Sequence, residues 1–449
     1  MLKNLIGKLN NKHFLSLAGN GVMSVLGLVG YAILSKFLPS AAELGKWIFF
    51  QSTLTLLDTF RSGFLTTALI KFYAGTTKER STEVVGSVWY LGILTTAGFL
   101  ILNLLAFLFL HGSKDMEVVL FLQWFGITFI FTLPIFIAGC VLQAESRFDR
   151  LLYMRLLNQV SFIVFIIVLI FMNRLTLQSV FYSNFISSVV TSAFIFYKGW
   201  ARQNTLFKRS KNCVLEIYHY GKYVVGTAIS ANLLRYSDTF IIKMMLGDVA
   251  VAIYNQGLKL IEVVEIPLRS MLATAMPTMA GFYNQGKKVD MLYTMKKYAG
   301  MLTLMLIPVA IGAFLMADFV MPILGRKDIA HEAANVWRLF MTFAILFPLE
   351  RYFAVTLDVI HQPKVNTVKV TIMLIVNIIS DFVGIALFGN IYGVAILTVF
   401  PTLVGMFIGY YYLNKSMPFN FWSVFSVGYY ELKLLAATQL AKIKPQRVN

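Results

Sequence analysis

The stretch LLDTFRSGFLTTAL, residues 56–69, sets Asp58 and Arg61 inside a long, predominantly apolar run from Ile48 to Ile70. A helix needs about 20 such residues to cross a bilayer. An ionised side chain at the middle of a span costs about 2.5–3.5 kcal/mol on insertion scales, so it faces a polar cavity or a partner. Three residues apart, Asp58 and Arg61 share one helix face and can meet there.

Composition extends that reading to the whole chain. Of 449 residues, 58% are hydrophobic and 13% charged, and the mean hydropathy is +0.72. Hydrocarbon, rather than one buried core, must absorb that much apolar surface. Twelve spans are expected, at 14–37, 47–70, 84–110, 117–143, 151–172, 176–197, 222–245, 250–280, 298–323, 335–359, 365–389 and 391–413. The chain therefore reads as an all-α polytopic membrane protein, and hairpins as short as HGSKDM (111–116) and GN (389–390) leave no room for an external domain.

Lys and Arg accumulate in cytoplasmic loops. With the N-terminus inside, 26 of the 39 fall on the inner face, eight on the outer and five within spans, so both termini are expected in the cytoplasm. The net charge of +18 then reflects topology and attraction to anionic membrane lipid rather than nucleic acid. Cys140 falls in the fourth span and Cys213 in a cytoplasmic loop, which suggests separate free thiols.

Six spans precede the basic loop KGWARQNTLFKRSKNCVLEIYHYGK (198–222) and six follow it. The expected layout is an N-terminal lobe over 1–197, a cytoplasmic linker over 198–221, a C-terminal lobe over 222–413, and a tail over 414–449 lying at the headgroups through Lys433, Lys442 and Lys444. Sliding the chain by 207 residues puts Asp58 on Glu265 and LTTAL (65–69) on LATAM (272–276), with four identities across 34 positions. An even number of spans per half predicts two parallel six-helix halves, with a site around a central cavity between them.

The other intramembrane charges lie near the midplane for Arg235 in the seventh span, Glu262 and Glu265 in the eighth, and Glu350 and Arg351 in the tenth, while Asp238 of the seventh span and Lys259 of the eighth sit nearer the outside and Arg269 of the eighth nearer the inside. At about 100° per residue, the four in the eighth span fall within a sector of roughly 120°. Either these charges weld helices together as ion pairs or they line a substrate path. Trp47, Tyr236 and Tyr254 read in the same two ways, as packing aromatics or as surfaces for a sugar.

No phosphate-binding G-x-x-x-x-G-K-[ST] loop occurs, and the five histidines are scattered, with His331-Glu332 lacking the second histidine of a zinc motif. No metal, cofactor or catalytic site is expected, and the work reads as transport rather than enzymology.

Three stretches carry a family likeness: YSDTFIIKMMLGDVAVAIYNQGLKLIEVVEIPLRSMLATAMPTMAGFYNQG (236–286), VLQAESRFDR (141–150) and LDVIHQPKVNTVKVTIMLIVNIISDFVGIALFGNIYGVAILTVF (357–400). They resemble polysaccharide-type flippases of the multidrug/oligosaccharidyl-lipid/polysaccharide exporter superfamily, O-antigen flippases of the Wzx type more than drug exporters. The resemblance implies transfer of a polyprenyl-pyrophosphate-linked oligosaccharide from the inner to the outer leaflet of a bacterial cytoplasmic membrane, by alternating access. It also implies work beside a polysaccharide polymerase and other assembly proteins. Arginine offers a planar fork for pyrophosphate oxygens, which makes Arg61, Arg235, Arg269 and Arg351 the candidate substrate ligands, with Lys259 behind them. Asp58, Glu265 and Glu262 are the candidate ion-coupling carboxylates. A cation-coupled multidrug exporter of the same fold is the rival reading; it calls for carboxylates without basic partners, whereas the acids in these spans have Arg or Lys neighbours.

Overall fold

A backbone in hydrocarbon must satisfy its own N–H and C=O groups, which restricts it to helices or closed barrels. The computed structural model describes residues 12–73, 76–110 and 116–443, and among them every regular element is helical. The elements are α1 (Lys12–Phe37), α2 (Ala41–Tyr73), α3 (Lys78–Leu110), α4 (Met116–Ala144), α5 (Phe148–Phe171) and α6 (Leu177–Lys198). A 3₁₀ turn (Gln203–Thr205) leads to α7 (Lys211–Leu246), α8 (Asp248–Asn284) and α9 (Lys288–Leu324). Then come α10 (Ala330–Ala344), α11 (Phe347–Val359), α12 (Pro363–Phe388), α13 (Ile391–Leu397), α14 (Val399–Ser416) and α15 (Ser423–Ile443). Lys3, Lys8, Lys444, Arg447 and residues 111–115 of the HGSKDM hairpin lie outside the described residues.

Among the described residues, seven spans are long and apolar enough to cross a membrane, α13 and α14 counting as one, and α10 with α11 makes an eighth. The remaining long helices, α1, α2, α7 and α8, complete the expected twelve. Three of these four, α2, α7 and α8, hold most of the intramembrane charges. α2 and α8 begin at Ala41 and Asp248, the register that the 207-residue offset requires.

The chain divides into two compact units, Met1–Tyr236 and Ser237–Asn449. In the first, Leu65, Leu69, Val84, Val88, Ile137 and Ile217 join α2, α3, α4 and α7 in one core. In the second, Leu268, Met295, Leu349, Phe353, Leu413 and Val424 join α8, α9, α11, α14 and α15. Each core combines helices distant in sequence, which is how apolar faces that cannot bury themselves find cover.

Two spans are broken, and both breaks matter below. α10 and α11 meet at a bend of 51°. Pro348 lies in the first turn of α11, where a missing N–H costs nothing, whereas α10 could not run through it without losing a bond. Glu350 follows in the same turn, with Arg351 just behind. α13 gives way to α14 at Thr398, whose hydroxyl donates to the Val394 carbonyl at 2.8 Å.

Two placements correct the sequence reading, and a third adds a contact to it. Cys213, expected in a loop, lies on α7 and is fully buried in the first unit's core. Lys369, counted among the inner-face loop lysines, is fully buried on α12. The tail helix α15 commits one face to α9: Gly300 and Gly428 meet backbone to backbone, so closely that a Cβ on Gly300 would stand 3.0 Å from the Gly428 Cα. Farther along, Glu431 pairs with Lys297 and accepts from the Tyr293 hydroxyl.

Candidate functional site

Asp58 and Arg61 meet as their spacing predicts, and they are unequally placed. The Arg61 Nε–H donates to Asp58 Oδ1 at 2.9 Å, Nη2 donates to Thr132 Oγ1 at 3.0 Å, and Nη1 to the Phe129 carbonyl at 3.4 Å. The guanidinium carbon lies 4.4 Å from the centre of the Phe129 ring, a cation–π contact. Arg61 is 1% exposed while the Asp58 side chain is 41% exposed. Arg61 thus joins α2 to α4, and Asp58 is the member of the pair that reaches open surface. Trp47 is packing: it is buried and stacks on Phe162 at 5.7 Å.

The second unit gathers the remaining charges more openly. Arg269 donates to Glu265 Oε2, one turn away on α8. Arg351, brought in from α11, lies 3.7 Å from the other oxygen of Glu265 and 3.8 Å from Glu350. Those separations are too long for hydrogen bonds, so the Arg351 guanidinium donates none among the described residues. Behind it, Lys369 Nζ donates to Glu350 Oε1 at 2.6 Å, and both partners are buried. Three cations and two carboxylates therefore run Arg269, Glu265, Arg351, Glu350, Lys369. The two arginine side chains are 60% and 55% exposed, so the accessible end of the chain is positive.

Lys259 pairs separately with Glu262, Nζ lying 3.3 Å from Oε1. The single sector expected along α8 is thus two pairs. Arg235, on α7, is exposed, its guanidinium carbon 5.8 Å from the Tyr236 ring centre.

A second cluster lies deeper, and the charge inventory had missed its centre. Asp238 of α7 and Asp381 of α12 are both buried and are joined by Asn377, whose amide donates to Asp238 Oδ1 at 2.6 Å and Asp381 Oδ2 at 3.3 Å. The Tyr254 hydroxyl donates to the other Asp238 oxygen. Asp381 Oδ1 has no hydrogen-bond partner. No Lys, Arg or His forms an ion pair with either aspartate among the described residues. Two neighbouring carboxylates in apolar surroundings cannot both stay ionised unless a cation joins them. The site is therefore suited to a proton or a small hard cation. Among the described residues no three His, Cys, Asp or Glu side chains converge.

A family profile for polysaccharide biosynthesis proteins matches residues 9–282, more than half of the chain. The chain belongs to the polysaccharide biosynthesis protein family. A second profile, MatE, matches residues 224–383. Among curated proteins, none matches the sequence. Solved structures share the fold. The lipid II flippase MurJ in an inward closed conformation is similar over 96% of this chain and 94% of its own, with a TM-score of 0.74 and 15% identity. An inward-facing multidrug resistance transporter of the MATE family is similar over 88% of this chain and 94% of its own, with a TM-score of 0.73 and 17% identity. A MOP superfamily transporter from Pyrococcus furiosus matches over 90% of this chain and 93% of its own, with a TM-score of 0.63 and 17% identity.

For this member of the polysaccharide biosynthesis family, Asp381 was legible in principle. It is a lone acid in the apolar run TIMLIVNIISDFVGIALF (371–388), with Asn377 one turn before it. Its partner Asp238 lies 143 positions earlier, a separation that no helical periodicity links.

Proposed function

We propose that this protein translocates polyprenyl-pyrophosphate-linked oligosaccharide repeat units from the inner to the outer leaflet of a bacterial cytoplasmic membrane by alternating access, for O-antigen or another surface polysaccharide. The observation that carries the proposal is the exposed arginine pair on Glu265, with the Arg351 guanidinium uncommitted. Two planar forks on one carboxylate suit a pyrophosphate, whose oxygens can take bidentate bonds from each. Lys369 and Glu350 hold Arg351 from behind. An arriving pyrophosphate competes with Glu265 for the two arginines. In this scheme Arg61 acts by holding Asp58, while Arg235 and Lys259 guide the anion in.

Ion coupling is proposed at Asp238 and Asp381. Asp58, Glu262 and Glu265 each have a basic partner, whereas the buried pair has none among the described residues, which leaves it open to a proton or cation. The membrane potential adds about 2.3 kcal/mol per charge per 100 mV.

One observation favours a second reading. Carboxylates without basic partners are what a cation-coupled multidrug exporter of this fold needs, and the MatE profile covers the segment bearing Asp238 and Asp381. The two readings separate at the arginines. In proteoliposomes, Arg269→Ala and Arg351→Ala should each slow transfer of a lipid-linked oligosaccharide about 10- to 100-fold, the loss of a charged hydrogen bond, while insertion is normal. Wild-type transfer in both variants, or dye efflux with no oligosaccharide transfer, would overturn the flippase reading.

A further inference from the structure

The loop between α6 and α7 is basic and is held firmly to α3. Gly86 of α3 touches it backbone to backbone: a Cβ there would stand 2.8 Å from the Lys208 carbonyl oxygen and would also collide with that of Thr205. The Trp89 indole N–H donates to the Ala201 carbonyl at 2.8 Å. Arg202, in the left-handed region with φ 48°, pairs with Glu145. Arg209 lies flat against Tyr90, its guanidinium carbon 3.6 Å from the ring centre.

Held this way, Lys208 and Arg209 close one side of a cleft of about 820 Å³, and the first turns of α3 form the other side. Its other charged lining groups are Lys78, Arg80, Glu79 and Glu83. Arg80 is already satisfied by Glu83 and Glu216. Lys78 and Lys208 make no ion pair among the described residues, so with Arg209 they leave the cleft cationic against Glu79 alone. Beside Lys208, Phe207 is 91% exposed. A bare aromatic next to unpaired lysines, on a loop too constrained to tuck it away, has the chemistry of a headgroup-level anchor.

We infer that the Lys78–Lys208–Arg209 cleft, with Phe207 beside it, holds the phosphate headgroup of an acidic phospholipid from the adjacent leaflet. The three cations bind the phosphodiester, and Phe207 enters the glycerol and upper acyl region. This site is separate from the residues proposed to bind substrate.

Native mass spectrometry of purified protein in neutral detergent tests it, with phosphatidylglycerol, phosphatidylcholine and inorganic phosphate as probes. The tightest phosphatidylglycerol should bind in preference to phosphatidylcholine. Lys208→Gln with Arg209→Gln should weaken it about 30-fold, on the basis of about 1 kcal/mol for each basic residue near a lipid surface. Phe207→Ser should weaken it without altering phosphate binding, and Lys433→Gln on α15 should leave it unchanged. All of these side chains are exposed or half-exposed, and unchanged thermal unfolding verifies that the variants fold. Undiminished phosphatidylglycerol binding in the double variant would overturn the assignment. Displacement of the lipid by an equal concentration of inorganic phosphate would also overturn it, because the cleft would then be a soluble-anion site.

Discussion

The Glu350–Lys369 pair offers a quantitative test of why this chain keeps charges in its spans. Lys369 is fully buried, the Glu350 side chain is 8% exposed, and their closest atoms are 2.6 Å apart. Glu350→Gln keeps the shape and removes the charge, which leaves an ammonium with no countercharge in a packed interior. Breaking a buried pair in this way costs about 3–5 kcal/mol. Replacing both members, Glu350→Met with Lys369→Met, removes the desolvation along with the attraction, and should lie between neutral and about 4 kcal/mol more stable. In a size-exclusion thermostability assay, scaling for domains of 150–250 residues puts the single variant about 6–20 °C below wild type. The double variant should unfold at or above the wild-type temperature. If it falls as far as the single variant, the pair does not act by mutual compensation, and the argument from charge burial fails. A functional readout belongs in the same experiment. The double variant retains Arg351 but loses the carboxylate beside it, so its oligosaccharide transfer should drop even though its stability does not.

Asp381→Asn and Asp238→Asn should each abolish the dependence of transport on an ion gradient while leaving folding intact; gradient-driven transport at the wild-type rate in either variant would remove the pair from the coupling step. Gly428→Leu should dislodge α15 from Gly300, read as faster hydrogen exchange across residues 423–443, and unchanged protection would mean that the helix docks by other contacts. The Lys297 ammonium, followed by the Tyr293 hydroxyl, holds the Glu431 carboxyl below its ordinary value of 4.5. A depressed carboxylate stabilises α15 docking fully above that ordinary value and loses the contribution as pH falls through the depressed one. Acid titration of α15 exchange should show that loss, and Glu431→Gln should flatten it.

Much of the fold was legible because the bilayer makes its demands locally. A backbone in hydrocarbon must satisfy its own polar groups, and the span length follows from membrane thickness. Composition and the apolar runs therefore predicted an all-α chain, and the 207-residue offset matches the starts of α2 and α8. Pairs three or four residues apart were legible for the same reason: Asp58 with Arg61 and Glu265 with Arg269 depend only on helix geometry.

Only tertiary structure decided which charges are accessible and which are sealed. Arg61 read as a candidate substrate ligand, yet α4 supplies Thr132 and the Phe129 carbonyl to bury it. Lys369 looked like one more loop lysine until Glu350, 19 positions away, came within bonding range of it across two helices. Asp381 drew no reading from the sequence, and it becomes one site with Asp238 through Asn377. The physical reason is common to all three. The free energy of a charge depends on the dielectric and the partners around it, and those are set by which helices pack together, which local pattern does not encode. The sequence by itself determined that these charges must be accommodated; packing determined that Arg61 and Lys369 are sealed by partners, that Arg269 and Arg351 stay exposed, and that two buried aspartates meet with no basic partner among the described residues.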